Sequence, residues 1–258
     1  MSKLPSDQQF IDLSDYGRPF GRQIAYWLRN TRLTPVHVTV GFIFAGLLAV
    51  GCILKGHYWG AVLFLVLKSV LDAADGELAR IKNTPSYTGR FLDSIADMGI
   101  NLLLIWSIWK VTDAPAWMAL LAFFGLQLQG TLYNYYYAIL RKRRNGDMTS
   151  RVFENQIPRA LLGEDQRKVT FLFRTYRICY GLFDKLIYTL DRQAADAAHL
   201  PNWLMTAVST FGLGFQLLLI GLLLVGGKES YILPFFIGYS LFILVFIALR
   251  RMINLNSS

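Results

Sequence analysis

Four aspartates, Asp72, Asp75, Asp93 and Asp97, stand inside segments otherwise apolar enough to cross a membrane. No feature constrains the fold more. An unpaired charge at a bilayer centre costs about 2.5–3.5 kcal/mol on insertion scales, so four together would cost on the order of 10 kcal/mol. A fold that keeps them must bring them together around something positive.

The apolar segments are six, near residues 36–55, 58–80, 89–111, 115–139, 201–225 and 231–249. Each approaches the ~20 residues that a membrane-crossing helix needs. With 54% hydrophobic residues, the expected class is an all-α integral membrane protein with six transmembrane helices, built as one domain over residues 1–258. A net charge of +9 would raise nucleic acid as a partner in a soluble protein. Here the basic residues gather in the loops, so membrane lipids are the expected partner and nucleic acid is not. Two cysteines, Cys52 and Cys179, make neither a disulfide framework nor a metal site.

Orientation follows from the basic residues. Lys3, Arg18, Arg22, Arg29, Arg32, Arg80, Lys82, Arg90, Arg250, Arg251 and the basic 141–192 stretch fall on one side, against Lys55, Lys110 and Lys228 on the other. The positive-inside rule places both termini and the aspartates on the cytoplasmic side. Residues 1–30 contain no apolar stretch of the signal-peptide kind, which points to a bacterial inner membrane.

Two pieces lie outside the spans. In residues 1–34, the stretch 18–33 puts Phe20, Ile24, Trp27 and Leu28 on one helical stripe, the pattern of an N-terminal interfacial amphipathic helix. The segment 141–199 opens on a loop signal, Arg141-Lys142-Arg143-Arg144-Asn145-Gly146-Asp147. It continues into an aromatic and basic helix over 169–190, expected on the surface because a seventh span would bury Arg174, Arg177, Asp184 and Lys185.

On helices, residues 72, 75, 76 and 79 share one face, as do 89, 93 and 97. The connection 81–88 contains Pro85 and is long enough to turn back, with Ser86 and Thr88 as caps. Two antiparallel helices then face carboxylate to carboxylate, a hard oxygen site suited to Mg²⁺, Mn²⁺ or Ca²⁺. Gly76 and Gly89 leave backbone open for a bulky ligand, Ala79 keeps the face shallow, and Arg80 suits a phosphate. Glu77 is off this face and reads as a solvated or interfacial residue rather than a ligand. Lys68, one turn before Asp72, reads as a salt-bridge or phosphate partner, and Asn101, extending the 93/97 stripe, as an acceptor contact. Gln127, Gln129 and Asn134 read as interhelical hydrogen-bond formers, and Tyr133, Tyr135, Tyr136 and Tyr137 as an interfacial aromatic belt.

The run Asp72-x2-Asp75-Gly76-x2-Ala79-Arg80-x8-Gly89-x3-Asp93-x3-Asp97 resembles the signature of the CDP-alcohol phosphotransferases at all its fixed positions. The resemblance implies transfer of a substituted phosphate from a CDP-alcohol to a second alcohol, with release of CMP, by a divalent-metal-dependent homodimer. It implies Asp72, Asp75 and Asp93 as metal ligands, and Asp97 as the catalytic base that also touches a second metal, with Mg²⁺ or Mn²⁺ as the ion. It assigns Gly76, Ala79 and Gly89 to the cytidine pocket, and Arg80 and Ser86 to phosphate or ribose. Pro35-Val36-His37-Val38-Thr39 matches a Pro-Asn-x-x-Thr element except at Val36, which leaves Thr39 as a nucleotide contact and His37 as a polar helix start. CDP-diacylglycerol as donor and a small polar alcohol as acceptor is the favoured pairing. Transfer from CDP-choline or CDP-ethanolamine to diacylglycerol is the alternative. Met98 follows Asp97 where inositol-phosphate-using relatives tend to carry arginine, which disfavours that acceptor. A cation-coupled transporter is the out-of-class alternative. It fits less well because the acids lie at helix ends and no inverted repeat is present.

Overall fold

The computed structural model describes residues 10–142, 156–196 and 200–255. Lys3 and the expected loop residues from Arg143 to Asp147 lie outside the described residues. Among the described residues the chain is helical throughout, with no strand: α1 (Arg18–Leu28), α2 (Pro35–Leu54), α3 (Tyr58–Ile81), α4 (Tyr87–Thr112), α5 (Ala116–Lys142), α6 (Gln166–Leu190), α7 (Asn202–Val208), α8 (Leu213–Val225), α9 (Glu229–Tyr239) and α10 (Phe242–Leu255).

Among the described residues three helices are long and apolar enough to cross a membrane: Pro35–Leu54, Tyr87–Thr112, and Glu229–Asn254 taken through its break. Asn202–Phe211 with Leu213–Val225 makes a fourth if the bent pair counts as one span. The expected second and fourth spans exist as the unbroken helices α3 and α5, but Lys68 and the aspartates in one, and Gln127 and Gln129 in the other, dilute their apolar character. Large apolar side chains such as Phe44, Leu48, Leu63, Leu103 and Leu120 point outward, as a lipid-facing surface requires.

Two expected spans are interrupted, and one of them is bent. Residues 201–225 turn by 53° between Phe211 and Leu213. The N-terminal strap, residues 10–17, fills that break. The Leu13 N–H donates to Ser209 Oγ at 2.9 Å. Ser14 lies so close that a Cβ on Gly214 would fall 1.9 Å from the Ser14 carbonyl oxygen, so only glycine admits the strap. The other interruption, at residues 240–241, separates α9 from α10 beyond Pro234. There the Phe236 carbonyl accepts from Gln129 Nε2 at 3.2 Å, and Ser240 Oγ accepts from the same nitrogen at 3.0 Å. Gln216 Nε2 donates to Gln129 Oε1 at 3.1 Å. Gln129 is thus the interhelical hydrogen-bond former expected of it.

α1 begins at Arg18 as expected and ends at Leu28, short of residue 33. It meets α3 through Gly21 and Ala25. A Cβ on Gly21 would lie 2.9 Å from the Ala74 backbone nitrogen, so the two helices touch backbone to backbone. Ile24 and Leu28 pack inward against Val38, Ala74 and Leu78, while Phe20 and Trp27 face outward. The expected single stripe is therefore split between two environments.

The tyrosines at the end of α5 are not an aromatic belt. Tyr133, Tyr135, Tyr136 and Tyr137 are all buried, in a core shared with α6, α7 and α10. Their hydroxyls are held inside the protein. Tyr136 donates to Asp191 Oδ2 at 2.6 Å, Tyr135 to the Asp191 carbonyl at 3.1 Å, and Tyr133 to Asp12. Arg250 Nε completes the knot on Asp191 Oδ2 at 3.0 Å. Removing one member of a buried ion pair strands the other and costs about 3–5 kcal/mol. Asp191→Ala is therefore expected to lower the thermal midpoint of the detergent-solubilised protein clearly, and Asp191→Leu combined with Arg250→Met to recover most of the loss. Equal midpoints for Asp191→Ala and the parent protein would contradict the ion pair's structural role.

Candidate active site

α3 and α4 are joined at residues 82–86, and their acidic faces line one cavity of about 1120 Å³. Carboxylate oxygens of Asp72, Asp75 and Asp93 lie within 4.8 Å of one another. Asp93 Oδ1 is buried without a hydrogen-bond partner. Asp75 Oδ2 accepts from Thr39 Oγ1 at 2.8 Å, which fixes one carboxylate from α2. Three oxygen donors this close, one of them orphaned, fit a hard divalent cation.

Asp97 has different company. It pairs with Lys68, whose ammonium also lies 3.5 Å from Asp72 Oδ2. Lys68 is 1% exposed and stands 4.7 Å from the centre of the Phe42 ring. Of the two roles expected for Lys68, the salt bridge is the one present. The geometry separates three clustered carboxylates from a fourth that carries its own counter-ion.

Glu77 departs from expectation. It is 1% exposed, not solvated. Its Oε1 lies 2.9 Å from Arg80, 3.5 Å from Arg22 and 4.0 Å from Arg18. This acid ties α1 to the Arg80 guanidinium at the cavity wall. The glycines behave as expected. A Cβ on Gly76 would meet nothing nearer than the Arg80 guanidinium at 3.8 Å, and one on Gly89 nothing nearer than Ser86 Oγ at 3.5 Å. Neither glycine is demanded by helix packing, so each leaves backbone open to the cavity. Ala79 and Asn101 line the same space, and Asn101 is 6% exposed. His37 is a helix start: its Nδ1 lies 2.6 Å from Thr34 Oγ1 in the cap of α2.

Ser86 does more than line the cavity. It caps α4, accepting from Gly89 N at 2.9 Å, and donates to Glu164 Oε1 at 2.8 Å. Glu164 Oε1 also accepts from Thr88 N at 2.7 Å, and its Oε2 from Leu161 N at 3.1 Å. Glu164 thus docks the loop 156–165 onto the N-terminus of α4, where backbone N–H groups favour negative charge. Behind it, α6 forms a further wall. Tyr180 donates to the Ser94 carbonyl at 2.9 Å, and Phe173 and Tyr176 pack on Phe91. The expected helix over 169–190 is present, but one of its faces closes the cavity. Glu164, Tyr180 and the strap residues Asp12 and Ser14 were not foreseen as cavity residues. The sequence signal for Glu164 was Gly163-Glu164-Asp165 ahead of a helix, where Asp165 caps its own helix and Glu164 a distant one.

The fold and site define a polyhelical membrane protein with an acidic, ligand-sized cavity set between apolar helices. A family model described as CDP-alcohol phosphatidyltransferase matches residues 32–182, more than half of the chain, and the protein belongs to that family. The chain is similar to a CDP-diacylglycerol–serine O-phosphatidyltransferase of Bacillus subtilis (strain 168), with 42% identity over 64 residues, 25% of this chain and 36% of that protein. It is also similar to a Mycobacterium tuberculosis (strain H37Rv) protein of the same description, with 30% identity over 111 residues, 42% of this chain and 37% of that protein. The matches thus span little more than a third of these relatives' length.

Burial pushes the Glu164 carboxyl up, but the hydrogen bonds from Thr88, Ser86 and Leu161 outweigh it and hold the group below its ordinary value. A depressed carboxyl contributes stability that is present above the ordinary glutamate value and is lost as pH falls through the folded one. Glu164→Gln is expected to loosen the loop 156–165 by about 1–2 kcal/mol at neutral pH. The difference from the parent should vanish in acid. Amide hydrogen exchange across residues 156–165, compared at pH 7 and at low pH, measures this; equal protection of the two proteins at pH 7 would contradict it.

Proposed function

We propose that this protein transfers a substituted phosphate from a CDP-alcohol, with CDP-diacylglycerol as the favoured donor, to the hydroxyl of a small polar alcohol, releasing CMP in phospholipid synthesis. The observation that carries the reading is the acidic cluster: three carboxylates within 4.8 Å, beside a fourth held by a buried lysine, in one ligand-sized cavity. Family membership supports the reaction type. The activity for which the relatives are named supports CDP-diacylglycerol as donor and makes L-serine the first acceptor to try. The positive-inside bias supports six spans with both termini and the cavity mouth cytoplasmic. α1, with Phe20 and Trp27 outward, would lie along that leaflet. A homodimer belongs to the same reading.

In this mechanism Asp72, Asp75 and Asp93 would hold a divalent ion, Mg²⁺ or Mn²⁺, with Thr39 orienting Asp75. When bound, such an ion would supply positive charge against the diphosphate and the departing CMP. Arg80, steadied by Glu77, is placed to take a phosphate oxygen. The open backbone at Gly76 and Gly89 admits the cytidine. Asp97, oriented by Lys68, accepts the proton of the acceptor hydroxyl. The hydroxyl oxygen bonds to the lipid-bearing phosphorus, the bond from that phosphorus to the bridging oxygen breaks, and the electron pair leaves with CMP. A base at the membrane boundary keeps the nucleotide in water while the acyl chains stay in lipid.

The test is CMP release by purified protein supplied with CDP-diacylglycerol and L-serine in mixed micelles. Turnover is expected with Mg²⁺ or Mn²⁺, and chelation should abolish it reversibly. Asp97→Asn should retain CDP-diacylglycerol binding and lose about 10²–10⁴-fold in turnover, the usual contribution of a positioned base. Normal transfer by that variant would reject the base assignment. No CMP release with any CDP-alcohol would reject the transferase reading in favour of transport.

A further inference from the structure

Beyond Asp97 the carboxamides of Asn101 and Gln127 line the cavity. Asn101 lies eleven residues before the end of α4 at Thr112, and Gln127 lies eleven residues after the start of α5 at Ala116. The two helices are joined by the short turn at 113–115, so both side chains stand at the same depth, about 16 Å along the helices from that turn. Asn101 is one helical turn beyond Asp97 on the same stripe.

Gln127 is 4% exposed, and its Nε2 is buried with no hydrogen-bond partner. Its neighbours on α5 are satisfied: Gln129 spans two helices, and Thr131 donates to the Gln127 carbonyl at 2.8 Å. A buried, unmatched N–H costs about 1–3 kcal/mol, a cost that a ligand group accepting its hydrogen bond removes. Charge limits what that ligand is. Lys68 is committed to Asp97 and Asp72. Arg90 and Arg141, on the same two helices, stand about 16 Å and about 21 Å nearer the mouth. Arg18 and Arg80 pair with Glu77, and Lys82 donates to the Thr31 and Leu33 carbonyls. Two amides without a nearby uncommitted cation among the described residues suit a carboxylate or hydroxyl oxygen, not a phosphate monoester.

We infer that Gln127, with Asn101, forms the subsite that holds the acceptor alcohol, by donating to a carboxylate or hydroxyl oxygen carried beside the reacting hydroxyl. The inference rests on the transferase reading above. Gln127 determines specificity: it grips the part of the acceptor that does not react, which sets the hydroxyl against Asp97. Acceptors that carry a phosphate find no counter-charge at this depth.

The experiment is steady-state kinetics of Gln127→Met in mixed micelles, with CDP-diacylglycerol as donor and L-serine, glycerol and glycerol 3-phosphate as acceptors. Methionine keeps the length of the side chain and removes the N–H. For whichever of L-serine or glycerol the parent uses, the acceptor KM is expected to rise about tenfold, the worth of one hydrogen bond to a charged or strongly polar group. The donor KM should stay within twofold. The thermal midpoint should not fall, because the amide nitrogen has no protein partner to lose. An acceptor KM within twofold of the parent overturns the inference and leaves the transferase reading intact. Equal increases in donor and acceptor KM, or preferred use of glycerol 3-phosphate by the parent, also overturn it. A parent protein that releases no CMP with any acceptor overturns both readings. Asn101→Ala, measured in the same way, serves if Gln127→Met is not recovered folded.

Discussion

Carboxylates in a low-dielectric setting repel one another and resist losing water, and every part of this molecule near Asp72, Asp75, Asp93 and Asp97 responds to that constraint. Lys68 answers one of the four directly, by pairing with Asp97 and standing close to Asp72. Thr39 supplies a hydrogen bond to another. The remaining imbalance, with Asp93 Oδ1 orphaned among three clustered acids, is the property that suits the site to a cation. The same logic governs Glu77, which is buried only because three arginines surround it. It also governs Asp191, which Arg250 and two tyrosines enclose. Charge in this fold is tolerated where it is answered locally.

The helices and the acidic motif were legible because both signals are local. Apolar runs of sufficient length give helices, and the spacing of 72, 75, 93 and 97 places them on facing sides of a hairpin. What was illegible depends on contacts distant in sequence. Glu77 looked solvated because nothing near it in the chain announces Arg18 and Arg22. Tyr133 and its neighbours looked like a membrane-interface belt because composition at a helix end cannot tell lipid from protein. Their partners, Asp12 and Asp191, lie 121 and 55 residues away for Tyr133 and Tyr136. Gly212 and Gly214 lie inside an apolar run, and nothing in that run announces the strap, residues 10–17, that crosses them.

The cavity draws its walls from more of the chain than the motif. α3 and α4 contribute the charged face, α5 the amide floor, and α6 with the loop 156–165 the remaining side. The motif helices could recur in any protein of this chemistry. The groups most able to choose an acceptor sit on elements that the motif does not include.

The placement of residues 10–17 has a consequence for how the molecule is assembled. These residues precede every helix described above, yet their seat is the bend between Ser209 and Gly214. Contacts of such sequence separation form late, after the intervening chain has lost its freedom. The strap must therefore wait, undocked, until the C-terminal helices have been made and folded back. Asp12, Ser14 and Asp15 line the cavity, so its rim is closed only at that moment. A polypeptide interrupted before residue 209 therefore carries the acidic motif without the enclosure around it.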